Sequence, residues 1–201
     1  MKIPTDQCLV LYSFILGEST KEELENWIYA TPKLETYLGA DDYLDLISVD
    51  FHDAGASHYI GKILSNHISV ADYLTWRIKL LMKRIIARPA DVHIHIEETY
   101  NLYCKGYDFL QKIGMEFGLS VASPPCDYTK EWGAISRDEQ IALIESLYPN
   151  IIKHAERVLD LLDEQTIEFL EMKDVNLLEG VPSYPEYIDR RDKPTTPHSK
   201  A

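Results

Sequence analysis

The sequence predicts a mostly α-helical protein, a single helical domain of about seven to nine helices with little or no β-structure. Two observations predict this class. Apolar residues recur at helical spacing along most of the chain, and capping boxes, prolines and glycines mark where these segments begin and end. A composition that is 45% hydrophobic and 26% charged is typical of a globular domain of 201 residues. We place the helical domain at residues 1–180, followed by a Pro-containing C-terminal tail at 181–201 that either packs on the domain or is disordered.

The first segment, "CLVLYSFILG" (Cys8–Gly17), has the length of a signal-peptide core. Asp6 precedes it and no small-x-small cleavage site follows, so a buried first helix is the better interpretation. The next segment, "STKEELENWIY", offers Ser19 or Thr20 as the N-cap of a second helix, with a glutamate three residues later as in a capping box.

Helices continue through the next segments. In "TPKLETYLG", Thr31 is the expected cap, Pro32 the first helical residue and Gly39 the stop. "DDYLDLISVDF" is compatible with a helix or a short strand, because periodicity does not separate the two over so short a run. "AGASHYIGKILSNHI" predicts a weaker helix that Gly61 interrupts.

A stronger helix, "SVADYLTWRIKLLMKRIIAR", begins at Ser69 and is closed by Pro89. Its apolar side chains form two separate arcs around the axis, which include Leu74 and Ile78 on one side and Tyr73 on the other. A helix that is apolar on two sides is normally enclosed by neighbours, so we expect this one to be central.

The stretch "DVHIHIEE" raises the question of a metal site. In a strand His93 and His95 would point to one face and share a metal, whereas in a helix they diverge by about 160°. An apolar stripe from Val92 to Phe117 decides for one amphipathic helix over 91–118. The sequence therefore predicts no metal site and no cofactor here, and a partly buried His95.

Later in the same segment, "GMEFG" places Gly114 and Gly118 four residues apart, after Gly106. We expect these glycines to allow close packing against the central helix, or to end the helix near Gly118. A row formed by Tyr100, Tyr103 and Tyr107 lines the core or a groove, or alternatively belongs to an interface.

The remaining elements follow a loop, "SVASPPCDYTKEWGAI". "SRDE" is a capping box that opens one helix at Ser136, and Pro149 starts a second helix, "PNIIKHAERVLDLLDE". "TIEFLE" is expected to form one strand.

The chain shows none of the usual catalytic signatures, which include the nucleophile elbow, the phosphate-binding loop, the dinucleotide fingerprint and the zinc-protease motif. Cys8, Cys104 and Cys126 form no close pairs, so we expect reduced thiols, no catalytic cysteine and a cytoplasmic location. An enzymatic alternative, which the sequence leaves open, is a small cytosolic hydrolase with a site built around His93, Glu97 and His154.

Charge is the most unusual property of the sequence, with a formal net charge of −13. A general nucleic-acid binder or a peripheral membrane protein needs a basic face, so both classes are disfavoured, whereas a basic protein partner is permitted. The acidic surface either solubilises the protein or binds that partner. The candidate partner-binding residues form an N-terminal and a later cluster: Glu22, Glu23, Asp41, Asp42 and Asp45, and then Asp160, Asp163, Glu164 and Glu168.

The stretch "KEELENWIYATPKLETYLGADDYLDLISVDF" resembles the N-terminal segment of small, acidic, uncharacterised bacterial proteins, through its Leu-Glu-x-x-Leu-Gly and Tyr-Leu-Asp-Leu-Ile-Ser features. These proteins are similar in size and style to the immunity proteins of bacterial polymorphic toxins. The resemblance covers roughly a sixth of the chain. It implies a non-enzymatic cytosolic inhibitor that blocks a toxin domain. A structural or regulatory helical protein remains the third alternative.

Overall fold

The computed structural model describes residues 2–4, 7–31, 33–125, 131–173 and 175–191. Helices make up 65% of the chain as the structure describes it, and the described strands form one small two-stranded sheet. The prediction of a mostly α-helical domain is confirmed.

Within this fold the residues group into two compact units. Unit 1 consists of the described residues up to Leu74 together with those of Leu170–Pro182. Unit 2 consists of the described residues of Thr75–Phe169 and those from Ser183 onward. The division along the chain falls inside helix α6, which runs from Val70 to Ala87.

Unit 1 contains five helices before α6 in its described residues: α1 (Leu9–Ile15), α2 (Lys21–Ala30), α3 (Leu34–Leu38), α4 (Ala40–Ile47) and α5 (Ala56–Ser65). The first segment is a buried helix, as expected, and the segment that was ambiguous between helix and strand is helical. Thr20 is the N-cap of α2 and forms a capping box with Glu23, which settles the choice left open between Ser19 and Thr20. Pro32 lies outside the described residues.

Helix α5 continues through Gly61 instead of being interrupted there, and the reason is a tertiary contact. A Cβ atom at Gly61 would lie 1.9 Å from Cδ1 of Leu178, which belongs to the 3-10 turn Leu177–Glu179. The glycine makes room for this turn to pack directly on the helix, so its role is packing and not helix termination.

The N-terminus of α6 is bound by a carboxylate from the second chain segment of unit 1, Leu170–Pro182. Glu171 accepts hydrogen bonds from the Ser69 hydroxyl (2.7 Å) and from the Val70 backbone N–H (3.2 Å), and the Lys2 ammonium lies 3.3 Å away. Burial acts to raise the pKa of Glu171, but these three donors outweigh it and the pKa is lowered. The ionised carboxylate therefore contributes to stability.

Unit 2 continues with a series of helical segments and the sheet: α7 (Val92–Cys104), a 3-10 turn (Asp108–Leu110), α8 (Gln111–Ile113), a π-helical turn (Gly114–Gly118), α9 (Leu119–Ala122), α10 (Arg137–Leu147), α11 (Asn150–Asp163), β1 (Ile167–Phe169) and β2 (Tyr187–Asp189). The capping box of Ser136 and Glu139 opens α10, as predicted. The expected strand in "TIEFLE" is β1, and it pairs antiparallel with β2.

The prediction of one helix over 91–118 is wrong in its extent. The His-x-His stretch is helical, but α7 ends at Cys104 and Gly106 adopts φ +90°, outside the helical region. A Cβ atom at Gly106 would lie 2.8 Å from Cδ1 of Tyr184, so the break coincides with a close tertiary approach.

The prediction that the Gly-x-x-x-Gly segment packs against the central helix is wrong, because the segment packs on α7. A Cβ atom at Gly114 would lie 2.8 Å from the carbonyl oxygen of Thr99, and one at Gly118 would lie 2.7 Å from the backbone nitrogen of Tyr100. Thr99 is fully buried at this contact, and its hydroxyl donates to the carbonyl of Ile96 at 2.7 Å. The two glycines thus let the returning segment approach the α7 backbone.

An aromatic cluster links the sheet to the 3-10 turn that follows α7. Its rings contact one another with centroids 5.4 to 6.4 Å apart, and they belong to Tyr107, Phe109, Phe169 and Tyr187. Tyr107 is fully buried, so this member of the tyrosine row belongs to the core. The Tyr187 hydroxyl also accepts a hydrogen bond from the Asp108 N–H (3.1 Å), which fixes β2 on the turn.

Of the predicted tail, residues 181–182 belong to unit 1 and residues 183–191 to unit 2, where β2 pairs with β1, while residues 192–201 lie outside the described residues. The boundary between residues 180 and 181 stays a prediction. In the described part of the chain, no helix has the length and apolarity needed to cross a membrane.

We expect Gly118→Ala to lower the free energy of unfolding by about 1–3 kcal/mol, because the new methyl group would collide with the backbone of α7. The gain in helix propensity, at most about 1 kcal/mol, is too small to compensate. Urea denaturation measures the difference. Gly133→Ala is the matched control, since an added Cβ there meets no atom within 4 Å. Equal midpoints for the two variants would contradict the close approach of Gly118 to Tyr100.

A second prediction concerns the carboxylate at the start of α6. Glu171→Gln should lower the free energy of unfolding by about 1 kcal/mol at pH 7, because the charge-assisted hydrogen bonds are weakened. Since the folded pKa of Glu171 is lowered, its stabilisation is present above the unfolded pKa of about 4.3 and is lost as pH falls through the folded pKa. Chemical denaturation at a series of pH values should show the gap between native protein and variant closing toward acid pH. A difference in the free energy of unfolding that is constant with pH would be inconsistent with an ionised Glu171. The control is Glu186→Gln, at an exposed position.

Candidate functional site

The acidic residues predicted as an N-terminal binding cluster all lie in unit 1, but two of them have structural roles. Glu23 accepts the Thr20 backbone N–H at 2.7 Å in the capping box. Asp42 lies 2.6 Å from Nε2 of His67. The other members of this cluster are exposed: Glu22, Asp41 and Asp45. The exposed carboxylates are the ones that remain available to a partner.

Asp45 contributes to an open groove between α4 and α5 with a volume of about 520 Å³. We call it the acidic groove, and its lining residues are Asp45, Ser48, Val49, Asp50, Asp53, Ala56 and Tyr59. These lining residues include three carboxylates and no basic side chain. Tyr59 is 64% exposed, which is unusual for a large side chain on a packed helix.

Local turns fix two of these carboxylates. Asp50 accepts the His52 backbone N–H at 2.9 Å, and Asp53 accepts the Gly55 backbone N–H at 2.5 Å. Each carboxylate has further lone pairs that these single hydrogen bonds do not use. The groove therefore presents oriented acceptor groups beside an exposed aromatic ring.

Sequence reasoning identified Asp45 but not Asp50, Asp53 or Tyr59. Asp53 lies within a segment, residues 51–90, whose overall charge is positive, so the average concealed it. A usable signal was present in α5. Ala56, Ile60 and Leu64 recur at helical spacing and are buried, which leaves Tyr59 off the apolar face.

The second predicted cluster lies in unit 2 at the end of α11 and on β1. Asp163 pairs with Lys79 at 2.6 Å, and Glu168 pairs with Arg190 at 2.5 Å. Asp160 and Glu164 are exposed, and among the described residues their carboxylates have no ion-pair partner. The cluster is thus divided between paired and unpaired carboxylates.

Helix α11 carries its acidic residues at the unfavourable end. Its first turn contains no acidic residue and its last turn no basic one, while Asp160, Asp163 and the C-cap Glu164 lie at the C-terminus. The helix dipole is negative there, so each unpaired carboxylate costs up to about 1 kcal/mol. Helix stability therefore does not account for these carboxylates.

The residues of the hydrolase alternative are not brought together. His93 stacks on Trp132 with ring centroids 4.9 Å apart, and Nε2 of His154 lies 3.9 Å from Glu116. Within the described residues, no hydrogen bond, ion pair or ring contact joins any two of His93, Glu97 and His154. The arrangement does not form a catalytic site from these three side chains.

Metal and thiol chemistry have little support in the described residues. No group of three or more His, Cys, Asp or Glu side chains there is placed to hold a metal ion. His95 is partly buried, with Nε2 3.9 Å from Asp91, as expected for a structural histidine. Cys8 is buried and Cys104 is exposed, neither in a disulfide among the described residues, and Cys126 lies outside the described residues.

Comparison with known proteins gives no further assignment. No protein-family model, no curated protein and no solved structure matches this chain significantly.

Neutralising the carboxylates at the C-terminus of α11 and neutralising a carboxylate at a helix N-terminus should change the stability of the protein in opposite directions. Neutralising the helix end in an Asp160→Asn, Glu164→Gln variant should stabilise the protein by roughly 0.5–2 kcal/mol, which raises Tm by about 1–8 °C. Glu22→Gln, in the first turn of α2, should instead destabilise it, because a carboxylate is favourable at a helix N-terminus. Thermal unfolding at low salt measures both. Changes of the same sign would attribute the effect to net charge and contradict the helix-dipole explanation.

Proposed function

We propose that this chain is a non-enzymatic, cytoplasmic protein-binding module of the immunity type, which uses its acidic surface to block a basic domain of a bacterial toxin. The observation that carries the proposal is the acidic groove of unit 1. Its three carboxylates, with no basic side chain in the lining, stand beside an aromatic residue that is 64% exposed. Carboxylates of this kind complement Lys and Arg side chains, and exposed tyrosines commonly anchor interfaces.

The net charge of −13 supports this function at long range. A toxin domain that attacks nucleic acid must attract a polyanion, so its cleft is basic. An inhibitor with the same sign of charge as that substrate can exploit the same field. Electrostatic attraction of this type mainly accelerates association, whereas a few buried anchor residues determine the lifetime of the complex.

The resemblance in the N-terminal segment falls on the same part of the molecule. The stretch from Lys21 to Phe51, which resembles a segment of small, acidic, uncharacterised bacterial proteins similar in size and style to immunity proteins, contains α2, α3 and α4. It also supplies four residues of the groove lining: Asp45, Ser48, Val49 and Asp50. The remaining lining residues, Asp53, Ala56 and Tyr59, come from the start of α5 and the turn before it.

The proposal is tested by association kinetics against the product of the adjacent gene, which we expect to be a toxin with a variable C-terminal domain, across a salt series. The groove variant is Asp45→Asn, Asp50→Asn, Asp53→Asn, in which asparagine keeps the ability to accept the turn hydrogen bonds. The control neutralises three exposed glutamates of unit 2: Glu131, Glu156 and Glu186, each to Gln. Both variants change the net charge by the same amount.

We expect the groove variant to slow association several-fold at low salt and to flatten the salt dependence, while the control changes the rate less than about twofold. Tyr59→Ala should leave association nearly unchanged and speed dissociation by about 30-fold, as for an interface hot spot. The Asp160→Asn, Glu164→Gln variant in the same series shows whether the end of α11 takes part. Equal slowing by the groove and control variants would mean that only net charge matters, and an absence of binding would overturn the proposal.

A further inference from the structure

A second concave feature, in unit 2, has a different chemistry from the acidic groove. It is a cavity of about 420 Å³ between the start of α7, the connection that precedes α7, the 3-10 turn Trp132–Ala134 and one face of α10. This volume lies in the range of small-molecule sites, roughly 300–1,000 Å³. None of the acidic residues assigned to partner binding lines it.

One wall of the cavity is a pair of stacked rings. His93 and Trp132 lie almost parallel, with centroids 4.9 Å apart and an interplanar angle of 14°. The side-chain amide of Gln140 donates to the Trp132 carbonyl at 2.9 Å and holds the turn that carries the indole. Both rings are only partly buried. The wall is therefore a planar aromatic surface in a fixed position.

The cavity is also lined by two arginines, Arg88 and Arg137. The Arg88 guanidinium stacks 4.5 Å above the Tyr148 ring and pairs with Glu145. Tyr148 is itself anchored, because its hydroxyl donates to the Ile85 carbonyl at 2.7 Å. Arg88 is thus held by contacts on two sides, and its orientation does not depend on a ligand.

Arg137 is the arginine that remains available. It lies at the start of α10, is exposed, and has no ion-pair partner among the described residues. Glu145 compensates one of the two guanidinium charges, so the three side chains leave one net positive charge at the cavity. In a chain of net charge −13, this is a local site for an anion.

The backbone at Arg88 determines how the chain enters this region. Arg88 adopts φ +53°, a left-handed conformation of the kind that commonly ends a helix, and Pro89 follows it. The same conformation ends α6 and directs the chain into the cavity wall.

We propose that this cavity binds a small organic anion, a planar ring that carries a carboxylate or a phosphate. The ring packs against the His93–Trp132 pair and the apolar side chains of Val92 and Ile144, and the anionic group is bound by Arg137. An inorganic anion would leave the apolar and aromatic surfaces without a partner. A neutral ring would leave the charge of Arg137 without one. This site is independent of the toxin-binding surface proposed above.

The test uses the indole N–H signals of the full chain in two-dimensional NMR spectra. The chain has three tryptophans, and Trp132→Phe identifies the signal of Trp132 by its disappearance. The probes are adenosine 5′-monophosphate and indole-3-carboxylate, which represent the phosphate and the carboxylate source. Adenosine and inorganic phosphate, each alone, are the comparison compounds. The matched variants are Arg137→Gln and, for an exposed arginine of α11 outside the cavity, Arg157→Gln.

We expect at least one ring-bearing anion to shift the Trp132 signal in a saturable manner and more strongly than adenosine or phosphate at equal concentration. Arg137→Gln should weaken that binding at least tenfold, whereas Arg157→Gln should leave it unchanged. Stronger binding of one probe shows which of these two ring-bearing anions the cavity prefers. The proposal is overturned if neither probe shifts the signal up to about 10 mM. It is also overturned if phosphate alone acts as strongly as the probes, or if both arginine variants bind equally well.

Discussion

The close approach between the Gly114–Gly118 turn and α7 is the constraint on which unit 2 depends most. Two glycines four residues apart leave the backbone of Thr99 and Tyr100 in direct contact with the returning chain. Both glycines and Thr99 are buried at this contact, and Thr99 satisfies its hydroxyl locally through Ile96. A side chain at either glycine would push the two segments apart, because the opposing atoms are backbone atoms and side-chain atoms close to the backbone, which have little freedom to move.

This contact positions several other features of the unit. The chain must leave α7 at Gly106, pass the 3-10 turn Asp108–Leu110 and return along α7. Tyr107 and Phe109 lie in this connection and form half of the aromatic cluster that holds the two-stranded sheet. The sheet has only three residues in each strand, and so short a pair is not stable without such packing.

The charged residues fall into two groups with different physical roles. Glu23, Glu171 and Glu139 accept backbone N–H groups at helix N-termini, and there a negative charge is favourable. Asp160 and Glu164 lie at a helix C-terminus, where a negative charge is unfavourable. The first group stabilises the fold, whereas the second group and the acidic groove are the carboxylates that we propose attract a basic partner. The cavity of unit 2 is lined by two arginines, so its chemistry differs from that of the acidic groove.

The sequence by itself determined the features that depend on nearby residues. The capping boxes at Thr20 and Ser136, the helical state of "HIHI" and the strand in "TIEFLE" were predictable, because their hydrogen bonds or periodicity involve residues within a few positions. Only the tertiary structure decided that α7 breaks off before Gly106, that α5 continues through Gly61, and that Gly114 and Gly118 pack on α7. In each case the contacting residue is distant along the chain, as Tyr184 is from Gly106 and Leu178 from Gly61. The same reason applies to the sites. Asp45 was predicted as one of several acidic residues, but its groove also needs Tyr59 from another helix. In the cavity, His93 contacts Trp132 and Arg88 contacts Glu145, and no local sequence pattern connects the members of either pair.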